Sequence, residues 1–299
     1  MGPSAADDGD RALKSGFVAV AGRPNVGKST LVNALTGVKV AIVSPVPNTT
    51  RHRVRGINTT EDTQLVLVDL PGWQRPIDPL TARMQERVDE TISDDLDAVL
   101  LVVSARERVG AGDRFVARRV FSLGVPVVIV VNKVDRLKAG HIATQMKAAS
   151  ALGDFHSLHP VSAKTGDGID ELRADLISLL PEGPQYYPAG EVTDLPLEAQ
   201  IAELVREQAL RLTREEVPHA LTAEVMEIDE HRVHVRIYTE TESQKQILIG
   251  KGGSMVREIG RWARPAIEAL LGRTIYLELQ VRAAPKWRRD ETMLERLGL

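Results

Sequence analysis

Hydrophobic positions fall into two textures along the chain. From Phe17 to about Leu180, short and almost unbroken apolar runs occur as FVAVA (17–21), QLVLVDL (64–70), DAVLLVVSA (97–105) and VPVVIVVN (125–132). Segments of helical spacing separate them, at 28–36, 79–92, 111–123, 139–152 and 169–180. A strand that is apolar at every position has both faces buried, as in a parallel sheet covered by helices on each side. The alternation predicts a doubly wound, mostly parallel α/β layer. The more polar stretch HRVRGINTT (52–60) is expected to form an edge strand.

At PEGPQYYPAGEVTDLP (181–196) the texture changes, with four prolines and two glycines, the composition of a linker. Beyond it the pattern predicts a helix at 197–213, strands at 221–228 and 231–238, and a short helix at 242–249. A glycine loop, a helix at 254–271 and a strand at 274–282 follow. The order α-β-β-α-α-β is that of a small α+β unit. Val256, Ile259, Ala263, Ile267 and Leu270 make an apolar stripe, the core face of the long helix. Pro265 inside that helix removes one backbone hydrogen bond and is expected to kink or shorten it. The domain reading is a tail at 1–14, a first domain at 15–181, a linker at 182–196, a second domain at 197–285 and a basic segment or helix at 286–299.

Composition sets limits on this picture. The 299 residues suffice for two domains, each with its own core. A net charge of −3 gives no general argument for nucleic acid, so any such site must come from local clustering. The absence of cysteine excludes disulfides and thiolate metal sites. The opening MGPSAADDGDRALKSG lacks a basic n-region and an apolar h-region, and reads as a disordered tail rather than a signal peptide. No apolar run reaches the roughly 18 to 20 residues that span a bilayer, so a soluble, cytoplasmic protein is expected.

The first candidate for chemistry is Gly22-Arg23-Pro24-Asn25-Val26-Gly27-Lys28-Ser29, followed by Thr30. It fits G-x-x-x-x-G-K-[ST] and lies between a buried strand and a helix, where backbone N–H groups and the helix N-terminus can cradle phosphates. Lys28 would reach the β- and γ-phosphates and Ser29 would ligate Mg²⁺. Base choice comes from two later segments. In Asn132-Lys133-Val134-Asp135, the Asp135 carboxylate can accept from guanine N1–H and its exocyclic amine, while Lys133 lays its stem on the base. Ser162-Ala163-Lys164 can offer backbone N–H to the guanine carbonyl. Either segment alone reads as a polar loop; both at strand ends, downstream of a phosphate loop, read as guanine recognition. Asp69-Leu70-Pro71-Gly72 places a carboxylate to hold Mg²⁺ through water and a glycine N–H to sense the γ-phosphate. In Asn48-Thr49-Thr50-Arg51 a threonine could complete the metal shell; Thr50 is chosen, although spacing does not separate it from Thr49. The hydrolytic roles fall to Lys28, Thr50 and Gly72.

Together these motifs make residues 17–180 resemble a TRAFAC-class GTPase domain. Trp73 stands where Ras-like enzymes carry a water-orienting glutamine, and this replacement resembles the Era, Der and MnmE group. In that group the asparagine of G-x-P-N-x-G-K-S is associated with K⁺, which implies a similar catalytic role for Asn25, with slow hydrolysis until the cation is supplied.

The second glycine loop, Gly250-Lys251-Gly252-Gly253, lacks the six-residue arc of a phosphate loop and follows a helix rather than a strand. G-x-x-G between two helices of an α-β-β-α-α-β unit resembles a type II KH domain, in which the loop clamps a nucleic-acid backbone. Lys245, Lys251, Arg257, Arg261 and Arg264 cluster against only Glu258 between positions 245 and 264, and Gly250 to Gly253 with Arg257 and Arg261 are the candidate RNA contacts. Arg282, Lys286, Arg288 and Arg289 form a second basic run that reads equally as RNA contact or solvated face. Trp287 could stack on a base or dock the terminal helix.

One G domain followed by one type II KH domain, with LTREEVPHALTAEV (212–225) at the KH entry, resembles the Era family over roughly residues 15 to 290. Der carries two G domains, and MnmE places its G domain inside a helical domain. The resemblance implies GTP and GDP as ligands with Mg²⁺ and K⁺, a monomer, and the 3′ end of 16S ribosomal RNA within the maturing 30S subunit as partner. For some members it also implies peripheral association with the inner membrane. A scaffold that binds RNA constitutively and turns GTP over little is the competing reading. An ATP-dependent kinase is disfavoured by Asp135.

Overall fold

The computed structural model describes residues 13–46, 49–72, 76–93 and 95–299. Most of the tail expected at 1–14 lies outside them, as do Asn48, Trp73 and Gln74. By contacts the described residues divide into two compact units. The first draws on Met1–Ala41, Arg53–Trp73 and Arg87–Asp194, the second on Ile42–His52, Gln74–Glu86 and Leu195–Leu299.

In the first unit the strands are β1 (Leu13–Gly22), β2 (Val54–Thr59), β3 (Thr63–Asp69), β4 (Ala98–Ser104), β5 (Val127–Asn132), β6 (Ser157–Val161) and β7 (Glu182–Gly183). Their order is β2-β3-β1-β4-β5-β6, with β7 paired to β1. β2 runs antiparallel to β3 and β7 to β1, and the other pairings are parallel. The helices are α1 (Lys28–Thr36), α2 (Pro79–Ser93, begun within the second unit), α3 (Ala111–Phe121), α4 (Ala139–Ser150) and α5 (Ile169–Leu179).

The unbroken apolar runs have a direct cause. Val18, Val20, Leu65, Leu67, Leu100, Val102, Val128 and Val130 face Leu31 and Leu35 of α1 and Leu172 and Leu176 of α5. The residues between them, Ala19, Ala21, Val68, Val99, Leu101, Val103, Ile129 and Val131, face Val88 of α2, Val116 and Val120 of α3 and Ala149 of α4. Side chains alternate along a strand, so covering both faces demands apolar residues at every position, each stabilising by about 1.5–3 kcal/mol when fully buried. The strand order reverses between β1 and β4, which opens the crevice in which such sheets bind ligands at the carboxyl ends of the strands.

Residues 182–194, read as linker, are strapped along this sheet. Gln64 is fully buried, and its Nε2 donates to Tyr187 O (2.9 Å) while its Oε1 accepts from Tyr186 N (2.8 Å) and Tyr187 N (3.0 Å). Tyr186 packs on Phe17 with ring centroids 4.8 Å apart, and Arg55 pairs with Asp194 at 2.6 Å. A proline-rich segment cannot sustain a regular ladder, and the Gln64 amide supplies the missing partners.

The second unit contains α6 (Leu197–Leu212), α7 (Val217–Ala220), β8 (Thr222–Ile228), β9 (Arg232–Thr239), α8 (Glu242–Ile249), α9 (Ser254–Leu271), β10 (Tyr276–Ala283) and α10 (Glu291–Arg296). Its sheet has the order β10-β9-β8, antiparallel between β8 and β9 and parallel between β9 and β10. Ile201, Val205 and Ala209 of α6 and Ile259, Ala263 and Ile267 of α9 meet Val233, Val235 and Ile237 of β9 in one core. The α9 stripe departs from expectation at its end, where Leu270 is exposed and Leu271 packs on the core. The stripe advances by four from Ile259, and the third step lands on 271. Pro265 does not shorten α9, which runs through it to a left-handed Gly272 cap. Position 265 is exposed, so water can take the carbonyl that proline leaves without a donor.

Candidate functional site

The loop between β1 and α1 closes on itself and on two distant segments. Asn25 is left-handed (φ 63°) and exposed, and Gly27 has φ 100°. A Cβ on Gly27 would stand 2.4 Å from Asn132 Nδ2, so glycine is required there for conformation and for space. Buried Lys28 donates from Nζ to the carbonyls of Gly22 (3.1 Å) and Arg23 (3.2 Å), which holds the ammonium inside the loop's arc. Burial pushes its pKa below the ordinary lysine value, with the Asp69 charge opposing. A phosphate brought to this loop would therefore meet a desolvated cation and a row of backbone donors.

Ser29 Oγ donates to Asp69 Oδ2 at 2.6 Å, bringing together two of the three predicted metal residues. Asp69 is fully buried at the end of β3; Leu70 and Pro71 follow, buried, and a Cβ on Gly72 would lie 3.0 Å from Pro24 Cγ. A hydroxyl and a carboxylate are hard oxygen donors that fit Mg²⁺, which needs only one or two protein oxygens beside phosphate oxygens. Thr50 lies in the segment that groups with the second unit. Neighbouring Thr49 uses its hydroxyl to close a turn, through Ser44 Oγ (2.7 Å) and Val46 O (2.6 Å).

Asn132, at the end of β5, ties three motifs together. Its Nδ2 donates to Val26 O (3.0 Å), and its Oδ1 accepts from Lys133 N (2.7 Å) and Ala163 N (3.1 Å). The Ala163 N–H expected to face a guanine carbonyl is thus already shared with Asn132. Lys133 is left-handed (φ 68°) and its Nζ donates to Asn25 O, so its stem passes over the phosphate loop. Ser162 is fully buried, and its hydroxyl donates to Asp135 Oδ1 at 3.2 Å. Lys164 and Thr30 flank these contacts at the starts of a turn and of α1.

One contact had no sequence signal of its own. Arg23, at a variable position of the motif, donates from Nε to Asp113 Oδ1 at 2.7 Å and from Nη2 to Glu107 Oε2 at 3.2 Å. Asp113 is buried and also accepts from Gly110 N at 2.8 Å, capping α3. These partners lie 84 and 90 residues away in sequence, and only the GAGD stretch (110–113), a capping pattern, hints at them.

In the second unit, Thr241 and Gln244 form a capping box at the start of α8. The glycine loop then makes a short turn, with φ of 72° at Gly250, 58° at Gly252 and 79° at Gly253. A Cβ on Gly250 would stand 2.8 Å from Met255 N, whereas at Gly252 nothing lies within 4 Å. Arg257 Nη1 braces the turn by donating to Gly252 O at 2.7 Å, and Lys251 is exposed.

The basic cluster is less free than its sequence window implied. Lys245 pairs with Glu242 (3.1 Å), Arg261 with Glu258 (3.3 Å) and Arg264 with Glu268 (3.9 Å), two of these carboxylates lying just outside the window. In the second run, Arg288 pairs with Asp78 (3.3 Å) and Glu240 (3.1 Å). Trp287 is buried and donates from Nε1 to Ala220 O at 2.7 Å, so it is a core residue and not a stacking platform.

Comparison with known proteins finds relatives for both parts of the chain. Residues 17–133 match the family model of the 50S ribosome-binding GTPase, and residues 213–288 that of the KH domain. The chain is 45% identical over 295 residues to the GTPase Era of Mycobacterium bovis, covering 95% of this chain and 98% of that protein. It is 44% identical to the GTPase Era of Mycolicibacterium smegmatis, with 96% and 99% covered. It resembles the crystal structure of Era in complex with MgGDPNP and nucleotides 1506–1542 of 16S ribosomal RNA, at TM-score 0.90 and 36% identity, covering 96% of this chain and 99% of that one. A variant of Aquifex aeolicus Era bound to GDP·AlF₄⁻ matches at TM-score 0.91 and 36% identity, over the same shares.

Proposed function

Because the chain belongs to the Era family of GTPases and so hydrolyses GTP, we propose that it is a nucleotide-controlled switch that binds the 3′ end of 16S ribosomal RNA through its KH domain and acts in assembly of the 30S subunit. The observation that carries the reading is the pairing of a phosphate loop locked to two base-reading motifs through Asn132 with a second loop whose Gly252 is open to a close-approaching backbone. The KH assignment is for residues 197–285, the G domain for 15–181.

In this mechanism Lys28 and the loop amides bind the β- and γ-phosphates, and Asp135 with Ser162 reads the guanine edge. Ser29 and Asp69 would hold Mg²⁺, with Thr50 the third expected ligand, and the metal would supply charge neutralisation on the phosphates. Asn25, exposed and left-handed on the rim of the loop, serves K⁺. Gly72 N–H senses the γ-phosphate, and the described residues of 40–51 and 70–80 order with GTP and relax after hydrolysis. Gly250 to Gly253 with Lys251 clamp RNA phosphates, with Arg257 and Arg261 beside them. The protein works as a monomer in the cytoplasm; inner-membrane association would be peripheral, since no described helix is long and apolar enough to cross a membrane.

The test is anisotropy of single-stranded RNA from the 16S 3′ end, with GDP and with a non-hydrolysable GTP analogue. Binding should strengthen with the analogue and collapse in Gly252→Asp/Gly253→Asp. Equal binding under both nucleotides would turn the reading toward a constitutive scaffold, which Trp73 at the water-orienting position keeps open. GTP hydrolysis in K⁺ against Na⁺ separates the two, because a scaffold stays flat in either salt.

A further inference from the structure

The carboxylate assigned to guanine is already engaged by a side chain of the same shape as its ligand. Arg106 follows β4, and its Nη2 stands 2.5 Å from Asp135 Oδ2. Ser162 Oγ occupies the other oxygen, Oδ1, at 3.2 Å. Asp135 keeps 9% of its side-chain exposure while Arg106 keeps 50%, so the guanidinium reaches the carboxylate from solvent and can leave by the same route. Its backbone, by contrast, is fixed. Arg106 N donates to Ser104 Oγ at 3.3 Å, and the preceding Ala105 N donates to Asn132 O at 2.7 Å. Asp135 is the only side-chain partner of this guanidinium among the described residues.

The chemistry of the two donors is the same. The N1–C2–N2 edge of guanine is itself a guanidine fragment, with two N–H groups directed at a carboxylate, and arginine presents that fragment on a flexible stem. Two such donors cannot both take the Oδ2 side of one carboxylate. We propose that Arg106 tempers base specificity, competing for Asp135 with a base that offers both N1–H and the exocyclic amine. A base with N1–H alone leaves the Oδ2 side to Arg106 and gains less from its removal. The inference rests on Asp135 being the carboxylate that reads guanine.

The experiment compares GDP and IDP binding, by equilibrium titration and stopped flow, in the full-length wild type, Arg106→Ala and Arg106→Lys. IDP lacks only the exocyclic amine. Arg106→Ala should tighten GDP about two- to fivefold, mainly through faster association, as expected for release of a half-exposed ion pair. IDP should change less, so the GDP/IDP ratio rises. Arg106→Lys should fall between, since it keeps the charge but loses the planar fork. Weaker or unchanged GDP binding in Arg106→Ala, or an equal gain for both nucleotides, overturns the proposal. Asp135→Asn, tested against GDP and XDP, separates the two levels. If it leaves GDP preferred as before, the reading of Asp135 fails and the proposal falls with it. If it shifts preference to XDP while Arg106→Ala does nothing, only the role of Arg106 is lost.

Discussion

The two glycine loops are held in shape by different means. The first, at 22–29, depends on side chains from the rest of its unit: Asn132 on the Val26 carbonyl, Lys133 on the Asn25 carbonyl, and Asp113 on Arg23. The second, at 250–253, depends on its neighbours in sequence, with Gly250 packed on Met255 and Arg257 bracing Gly252. A loop built by long-range contacts is preorganised for one ligand geometry, which suits a nucleotide whose phosphates, ribose and base must all register. A loop built locally presents its backbone outward and suits a polymer whose chemistry repeats.

The largest expected effect tests the long-range side. Asn132→Ala leaves the buried Val26 carbonyl and the Ala163 N–H without a shared partner, at about 1–3 kcal/mol each, so the first unit should lose roughly 4 kcal/mol in denaturant melts together with most of its GTP affinity. If stability falls but nucleotide binding is spared, the loop does not depend on this stitch. Gly27→Ala and Gly252→Ala come next, as a matched pair. At Gly27 a methyl meets Asn132 Nδ2 with φ at 100°, for roughly 3 kcal/mol; at Gly252 the methyl enters open space with φ at 58°, for about 1 kcal/mol. Equal losses in the two variants would erase the distinction drawn above.

A smaller effect is read by pH. Burial pushes Lys28 below 10.5, and bound phosphate restores its charge, so binding takes up a proton once the free ammonium has titrated. GTP affinity should hold below the lowered pKa and weaken as pH rises through it, by about tenfold per pH unit at most, starting below 10.5. Titrations from neutral to alkaline pH check this, with Asp69→Asn expected to bring the onset to lower pH. Arg257→Ala should matter least for folding, about 0.5–1 kcal/mol for one exposed hydrogen bond, while reducing the log–log salt slope of RNA binding by about 1.

The strands and glycine motifs were legible in sequence because each carries a local signature. Double-sided burial writes itself as unbroken aliphatic residues in 98–103 and 127–131, and the crowded positions at 27 and 250 write themselves as glycine. Asn132 was legible as a ligand-site residue but not as a hub, since its partners are Val26 and Ala163 and nothing near 132 names them. The anchoring of Arg23 to Asp113 was silent for the same reason. Trp287 was ambiguous because an indole serves equally as a base platform or as core, and the Ala220 carbonyl that decides it is 67 residues away. Pro265 misled because the rule for proline in a helix does not say which face it occupies, and here it faces solvent.

The strap at 182–194 has a consequence for how the chain is made. β1, which has parallel partners on both sides, also takes β7 through Leu13 and Gly183, and the buried Gln64 amide waits for Tyr186 and Tyr187. During vectorial synthesis the nucleotide loop and all its motifs, complete by Lys164, therefore exist before the sheet that carries them is finished. A nascent chain stopped at residue 181 would hold every residue proposed to bind GTP and still leave Gln64, fully buried in the finished fold, without the backbone groups that satisfy it.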